Sequence, residues 1–123
     1  MLNLLFLFAS AYAADIYEVC ILKNQKFNET TQEFETFAVD SFYSTNTKQL
    51  IVFDTYFEVE REKYPIIEKT TKDGLQCWRQ HKNSELCYSK VDNVIYWEAN
   101  LRNGETHRTW MKVCMLNGEP TAW

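Results

Sequence analysis

The chain has two histidines, and His107 is the better placed for chemistry, standing between Thr106 and Arg108 with Glu105 close by in sequence. A general acid or base needs a group that titrates near neutral pH and a partner that fixes its tautomer, and an imidazole beside a carboxylate meets both needs. His81 lies in "HKNSE", a turn-forming run, and reads as a solvated loop residue. No Ser-His-Asp set is legible, three glycines are too few for a phosphate-cradling loop, and neither Cys-x-x-Cys nor a His pair at ligand spacing occurs. No cofactor and no metal is therefore expected. Aromatic residues make up 15% of the chain, and in its C-terminal half Trp78, Tyr88, Tyr96, Trp97 and Trp110 are interleaved with lysines and arginines. Such strand faces stack bases and hold phosphates, or anchor a protein partner. The expected contact residues are Trp97, Arg102 and Arg108, with His81 and Lys82. Tyr96 and Trp97 are adjacent, so on a strand one faces inward and the other outward.

These residues need a scaffold. Leu2 to Phe8 are almost all apolar and Ala11-Tyr12-Ala13 fits a signal-peptidase site, so residues 1–13 read as a cleaved leader and 14–123 as a single domain. The apolar run is far short of the ~20 residues of a membrane span, and a secreted monomer without membrane contact is expected. Secretion makes disulfides available, and the four cysteines allow three pairings. Cys77 and Cys87 are close enough to staple one hairpin, which leaves Cys20 with Cys114, tying the mature N-terminus to the last strand. Tyr17 is expected to pack beside that second bridge. The net charge of −4, from 17 acidic and 13 basic residues, confines any RNA binding to a local patch. Asn28-Glu29-Thr30 is an N-glycosylation sequon.

Thr30-Thr31-Gln32-Glu33 has capping-box spacing, and Phe34, Phe37, Ala38, Ser41 and Phe42 follow at helical intervals, so a helix is expected over Thr31 to Tyr43. From Gln49 to Glu60 the period becomes two, predicting one strand with Ile51, Phe53, Thr55, Phe57 and Val59 on its drier face. A strand beginning at Tyr64-Pro65 follows, then a hairpin around "HKNSE" and another around Asn103-Gly104. One helix followed by antiparallel strands is an α+β pattern.

Tyr17 and Cys20, the expected helix, Tyr64-Pro65-Ile66, Asp92-Asn93-Val94-Ile95-Tyr96, Asn103-Gly104 and Cys114 follow one another in an order that resembles the RNase-like secreted effectors of powdery mildew fungi. The resemblance spans the mature chain and implies the α+β fold of guanyl-specific microbial ribonucleases. Two residues rather than one separate Tyr17 from Cys20, and Cys77 and Cys87 are additional to the family's terminal pair. The resemblance also implies where catalysis would sit: Lys63 stands in place of the glutamate base, Asn93 in place of the arginine that steadies the phosphorane, and only His107 keeps a counterpart. It therefore implies a non-enzymatic virulence effector that passes into the plant cell. Its implied partners are host proteins, including intracellular immune receptors, with weak RNA binding in addition. The alternatives are a weak ribonuclease pairing His107 with a carboxylate such as Glu58, and a small apoplastic disulfide-rich protein that binds glycans through an exposed aromatic strip.

Overall fold

The structure, a computed structural model, describes residues 14–42 and 47–121. The expected leader, residues 1–13, lies outside the described residues, as do Tyr43 and Trp123. No helix occurs among the described residues, which correct the expected α+β class to all-β: eleven strands join one antiparallel, curled sheet.

In chain order the strands are β1 (Asp15–Asn28), β2 (Glu33–Ser41), β3 (Lys48–Val52), β4 (Tyr56–Val59), β5 (Glu62–Pro65) and β6 (Glu68–Lys72). They continue with β7 (Leu75–His81), β8 (Ser84–Ser89), β9 (Val94–Asn100), β10 (Thr106–Leu116) and β11 (Glu119–Pro120). Across the sheet the order is β5-β4-β3-β1-β10-β9-β8-β7-β6, with β2 also pairing β1 and β11 also pairing β10. The two ends of that order, β5 and β6, are joined in the chain by Ile66 and Ile67 alone. The sheet must therefore curl until its first and last strands meet. Ile66 N–H donates to Thr55 O at 2.9 Å, continuing the β4–β5 ladder, and Ile67 N–H to Arg79 O at 2.8 Å, continuing β6–β7, while Lys69 pairs with Asp54 across the seam at 2.7 Å.

The expected helix is β2, paired with β1 from Ile21↔Ser41 to Asn28↔Glu33. The residues of the supposed capping box form the hairpin turn. Asn28 Oδ1 accepts from Thr30 N–H (2.9 Å) and Thr31 N–H (3.2 Å), and Gln32 takes φ 59°. Short polar side chains that cap a helix serve equally well in such a turn. The phenylalanine spacing misled for a second reason. A bulge in β2 leaves Phe37 without a register partner on β1, and this one-residue slip breaks the two-residue alternation that marks a strand. Phe34 and Phe37 thus lie on opposite faces, the first against Phe27 and Arg108, the second beside His107.

The single strand expected from Gln49 to Glu60 is the β3–β4 hairpin, turned at Phe53-Asp54-Thr55 with Phe53 N–H bonded to Tyr56 O. The turn changes the parity. Leu50 and Val52 face inward on β3, Phe57 and Val59 on β4. Inside the curl, Phe57, Tyr64 and Trp97 form an aromatic knot: Phe57 and Tyr64 stack, and Trp97 meets each edge-on at 5.7 and 5.2 Å between centroids. Leu86, Ile95 and Val113 complete the fully buried centre.

Both disulfides join the expected cysteines. Cys77 and Cys87 are directly opposed on β7 and β8, with Cα atoms 4.1 Å apart. Cys20 and Cys114 link β1 to β10, Cα atoms 5.8 Å apart, where the register shifts once on each side of Val19↔Val113. Each of these two cysteines is the extra residue of a bulge, so the bridge fastens the central strand pair where its ladder is interrupted.

Candidate ligand basin

Where β1 begins, the curl opens into a basin of about 820 Å³. Its lip takes Gly74, Lys90 and Phe53-Asp54 from three turns. Asp73-Gly74, both at positive φ, joins β6 to β7 in two residues, the geometry that suits the twist of a tight hairpin. Residues 90–93 join β8 to β9. Asn117 and Gly118, also at positive φ, join β10 to β11, and Asn117 fastens the start of β1. Its Oδ1 accepts from Ile16 N–H at 2.8 Å and its Nδ2 donates to Asp15 Oδ1 at 3.0 Å. Asp15 is thereby held at the rim.

The floor is aromatic. Tyr17 from β1 meets Tyr88 from β8 and Trp78 from β7, both edge to face, at 4.9 and 6.4 Å between centroids. These strands are far apart in the sheet, and only the curl brings the rings together. All three rings are buried and all three line the basin, with Val52 beside them. Neither tyrosine oxygen is among the fully occluded polar atoms that lack a partner, and neither hydroxyl has a hydrogen-bond partner among the described residues. Both therefore open onto the basin. Burial, and then the charge of Asp15, raise the Tyr17 phenol well above the usual tyrosine range, and the same two causes raise Tyr88. Both phenols stay neutral across the physiological range.

The rim is charged. Asp15, Asp54, Lys69 and Lys90 are exposed around the opening. The hydrogen bond from Lys69, with its charge, holds the Asp54 carboxyl below the usual range. Gln76 lines the wall, its amide donating to Thr70 O at 3.3 Å.

The residues singled out in the sequence lie elsewhere and do not converge. Trp97 faces inward in the aromatic knot, while its neighbour Tyr96 lies on the outer face under Arg108. Arg108 is sandwiched between Phe34 and Tyr96, 3.9 and 5.0 Å from the ring centroids, and its guanidinium bonds Glu98 at 2.9 Å. Arg102 is exposed in the β9–β10 turn. His81 and Lys82 are exposed at the β7–β8 turn, where His81 Nδ1 accepts from Asn83 N–H at 3.2 Å. That turn is bonded to the end of β9 through Asn100 N–H and Asn83 O. These turn residues thus share the end of the sheet opposite the basin. Lys63 is on β5 with its ammonium 5.3 Å from the Tyr56 ring centroid, and Asn93 is in the β8–β9 turn at φ 54°.

His107 does have its carboxylate: Nε2 lies 2.9 Å from Glu105 Oε2, and Lys26 Nζ is 3.1 Å from Glu105 Oε1. The bonds from His107 and Lys26 lower the Glu105 carboxyl. Phe37 covers the imidazole edge-on at 5.9 Å. Glu58, between inward-facing Phe57 and Val59, points outward, whereas His107 lies on the face of Met111 and Val113. His107 and Glu58 are thus on opposite sides of the sheet, and the carboxylate that meets His107 is Glu105. Ser84 Oγ is buried without a partner, but Ser84 pairs with Ala99 and Ala99 with His107, so a whole strand separates hydroxyl and imidazole.

The thiols of Cys77 and Cys87, which lie near Glu85, are consumed in a disulfide and offer no metal site. Phe37 is the one exposed aromatic among the described residues, so the flat strip expected of a glycan-binding surface is not formed there. Sequence reading missed Tyr17, Trp78 and Tyr88 as a group because no spacing links residues that meet across a curl. The available signal was the placing of aromatics at inward positions next to polar turn residues. No protein-family model matches the chain, and neither a curated protein nor a solved structure is significantly similar to it.

Proposed function

We propose that the chain is a non-catalytic binding protein of an oxidising, secretory or extracellular setting, and that it holds a small organic molecule in the basin of Tyr17, Trp78 and Tyr88. The observation that carries this reading is the contrast within one concavity: a buried aromatic floor with two uncommitted phenol oxygens, under a ring of exposed charges. Ligand sites are concave, largely apolar and oriented by a few polar groups, and the mouths of curled β-sheets are frequent places for them. Two disulfides favour the oxidising setting. Against catalysis stand the separation of His107 from Glu58 and the capture of its imidazole between Glu105 and Phe37. The effector reading, with host plant proteins and immune receptors as partners, rested on the ribonuclease-like resemblance. A strand in place of the helix removes the fold on which that resemblance drew.

Nuclear magnetic resonance of the oxidised chain, titrated with a small set of aromatic compounds of different charge, tests the proposal. Shifts are expected at Tyr17, Trp78 and Tyr88. No shifts, or shifts gathered at His81, Lys82 and Arg102, would sink it. An RNA cleavage assay run beside His107→Ala is expected to show no cleavage by either protein; cleavage lost in the variant would restore the enzyme.

A further inference from the structure

The basin's charges are not equivalent. Lys69 and Asp54 are 2.7 Å apart and neutralise each other. Lys90 is exposed at the lip. Asp15 is different: among the described residues its one hydrogen bond is from the neutral amide of Asn117, and none of their cations lies within ion-pair distance of it. Its carboxylate stands next to Ile16 and Tyr17 at the edge of the aromatic floor. The faces of tyrosine and tryptophan rings are electron-rich and attract a cation, most strongly where water is scarce. A lone carboxylate beside three such rings is complementary to positive charge on an apolar body. An anion would meet Asp15 beside those rings, and only Lys90, likewise without an ion pair among the described residues, would attract it from the lip.

We propose that the basin binds an organic ammonium ion, a protonated or quaternary amine attached to a small apolar or aromatic group, with the nitrogen set between the Asp15 carboxylate and the rings of Tyr17, Trp78 and Tyr88. The phenol oxygens accept from any ammonium N–H. The perpendicular packing of Tyr17 on Tyr88 leaves a ring edge and a ring face side by side, and the nitrogen belongs at the face. The net charge of −4 draws cations towards the molecule. This inference rests on the basin reading above and adds the ligand's charge to it.

Calorimetric titration of the oxidised chain with 2-phenylethylamine, 2-phenylethanol and phenylacetate separates the two. These probes share a ring and differ in charge. The amine is expected to bind about tenfold more tightly than the alcohol, the order of one good cation–π contact, and phenylacetate more weakly than either. Asp15→Asn keeps the acceptor for Asn117 and is expected to reduce the preference for the amine to the share the rings supply, while leaving alcohol binding in place; the thermal transition of the variant checks that it folds. Equal or tighter binding of alcohol or carboxylate would overturn the ammonium assignment and leave the basin reading standing. No binding of any probe at millimolar concentration would overturn both.

Discussion

Tyr17 shows how much one buried residue can carry. Its ring contributes to the basin floor and to the core at once, and its neighbours are Tyr88 and Trp78. Because the folded state holds its phenol neutral and the unfolded chain ionises near pH 10, the folded state keeps a proton that the unfolded state releases. The resulting stability is complete below about pH 10 and is lost as pH rises further. Thermal melts from pH 8 to 11.5 should show an alkaline fall that is smaller in Tyr17→Phe; an identical fall in both would assign the loss to other groups. Phe57 is the counterpart at the closed end of the core. It is fully buried, with Tyr64 and Trp97 against it, and Phe57→Ala should cost about 3–5 kcal/mol in urea unfolding. A cost under about 1 kcal/mol would mean that the aromatic knot is not tightly packed.

At the scale of elements, the sequence was legible where a turn signal and a covalent tie agree. The β7–β8 hairpin followed from the spacing of Cys77 and Cys87, and β9–β10 from Asn103-Gly104 between two apolar runs. The strand expected to begin at Tyr64-Pro65 is instead β5, Glu62–Pro65, which ends there, at an end of the sheet order where the missing N–H of Pro65 is tolerated. Two elements were illegible for a common reason. Period is read by counting residues, and a single extra or turning residue changes the count: the bulge at Phe37 broke the alternation of a strand, and the turn at Phe53-Asp54-Thr55 reversed the faces of β3. The candidate site was illegible in a different way. His107 with Glu105 was found because they are neighbours in sequence, and they do meet; Tyr17, Trp78 and Tyr88 come from three strands and gather only when the sheet closes. The disulfides also differ in what they should contribute. Cys77–Cys87 spans 10 residues and Cys20–Cys114 spans 94. Chain-entropy arguments give about 3 kcal/mol for the first and about 4–5 kcal/mol for the second. Replacing each pair by alanine should reproduce that order in chemical denaturation; a larger loss for the hairpin pair would show that native packing around Cys77, rather than loop closure, sets its effect.

For the whole molecule, the curl makes β1 and β10 the spine on which everything else hangs. One edge of β1 pairs β10 while its other edge serves β3 and then β2, and β10 passes the sheet on to β9. The chain divides at Ile66-Ile67 into two parts. The first contributes β1 to β5 and the second β6 to β11. Ile67 is 62% exposed at that division. The seam that closes the sheet is thus also a place where the chain can be cut without severing any strand. Cys20 belongs to the first half and Cys114 to the second, whereas Cys77 and Cys87 both belong to the second. A single proteolytic nick between residues 66 and 67 should yield a two-chain protein, still folded through the β1–β10 ladder. It should migrate as one species on a denaturing gel until reduced and as two afterwards. Only one of the two disulfides is an interchain bond in that form, and it sits in the middle of the sheet, far from the cut.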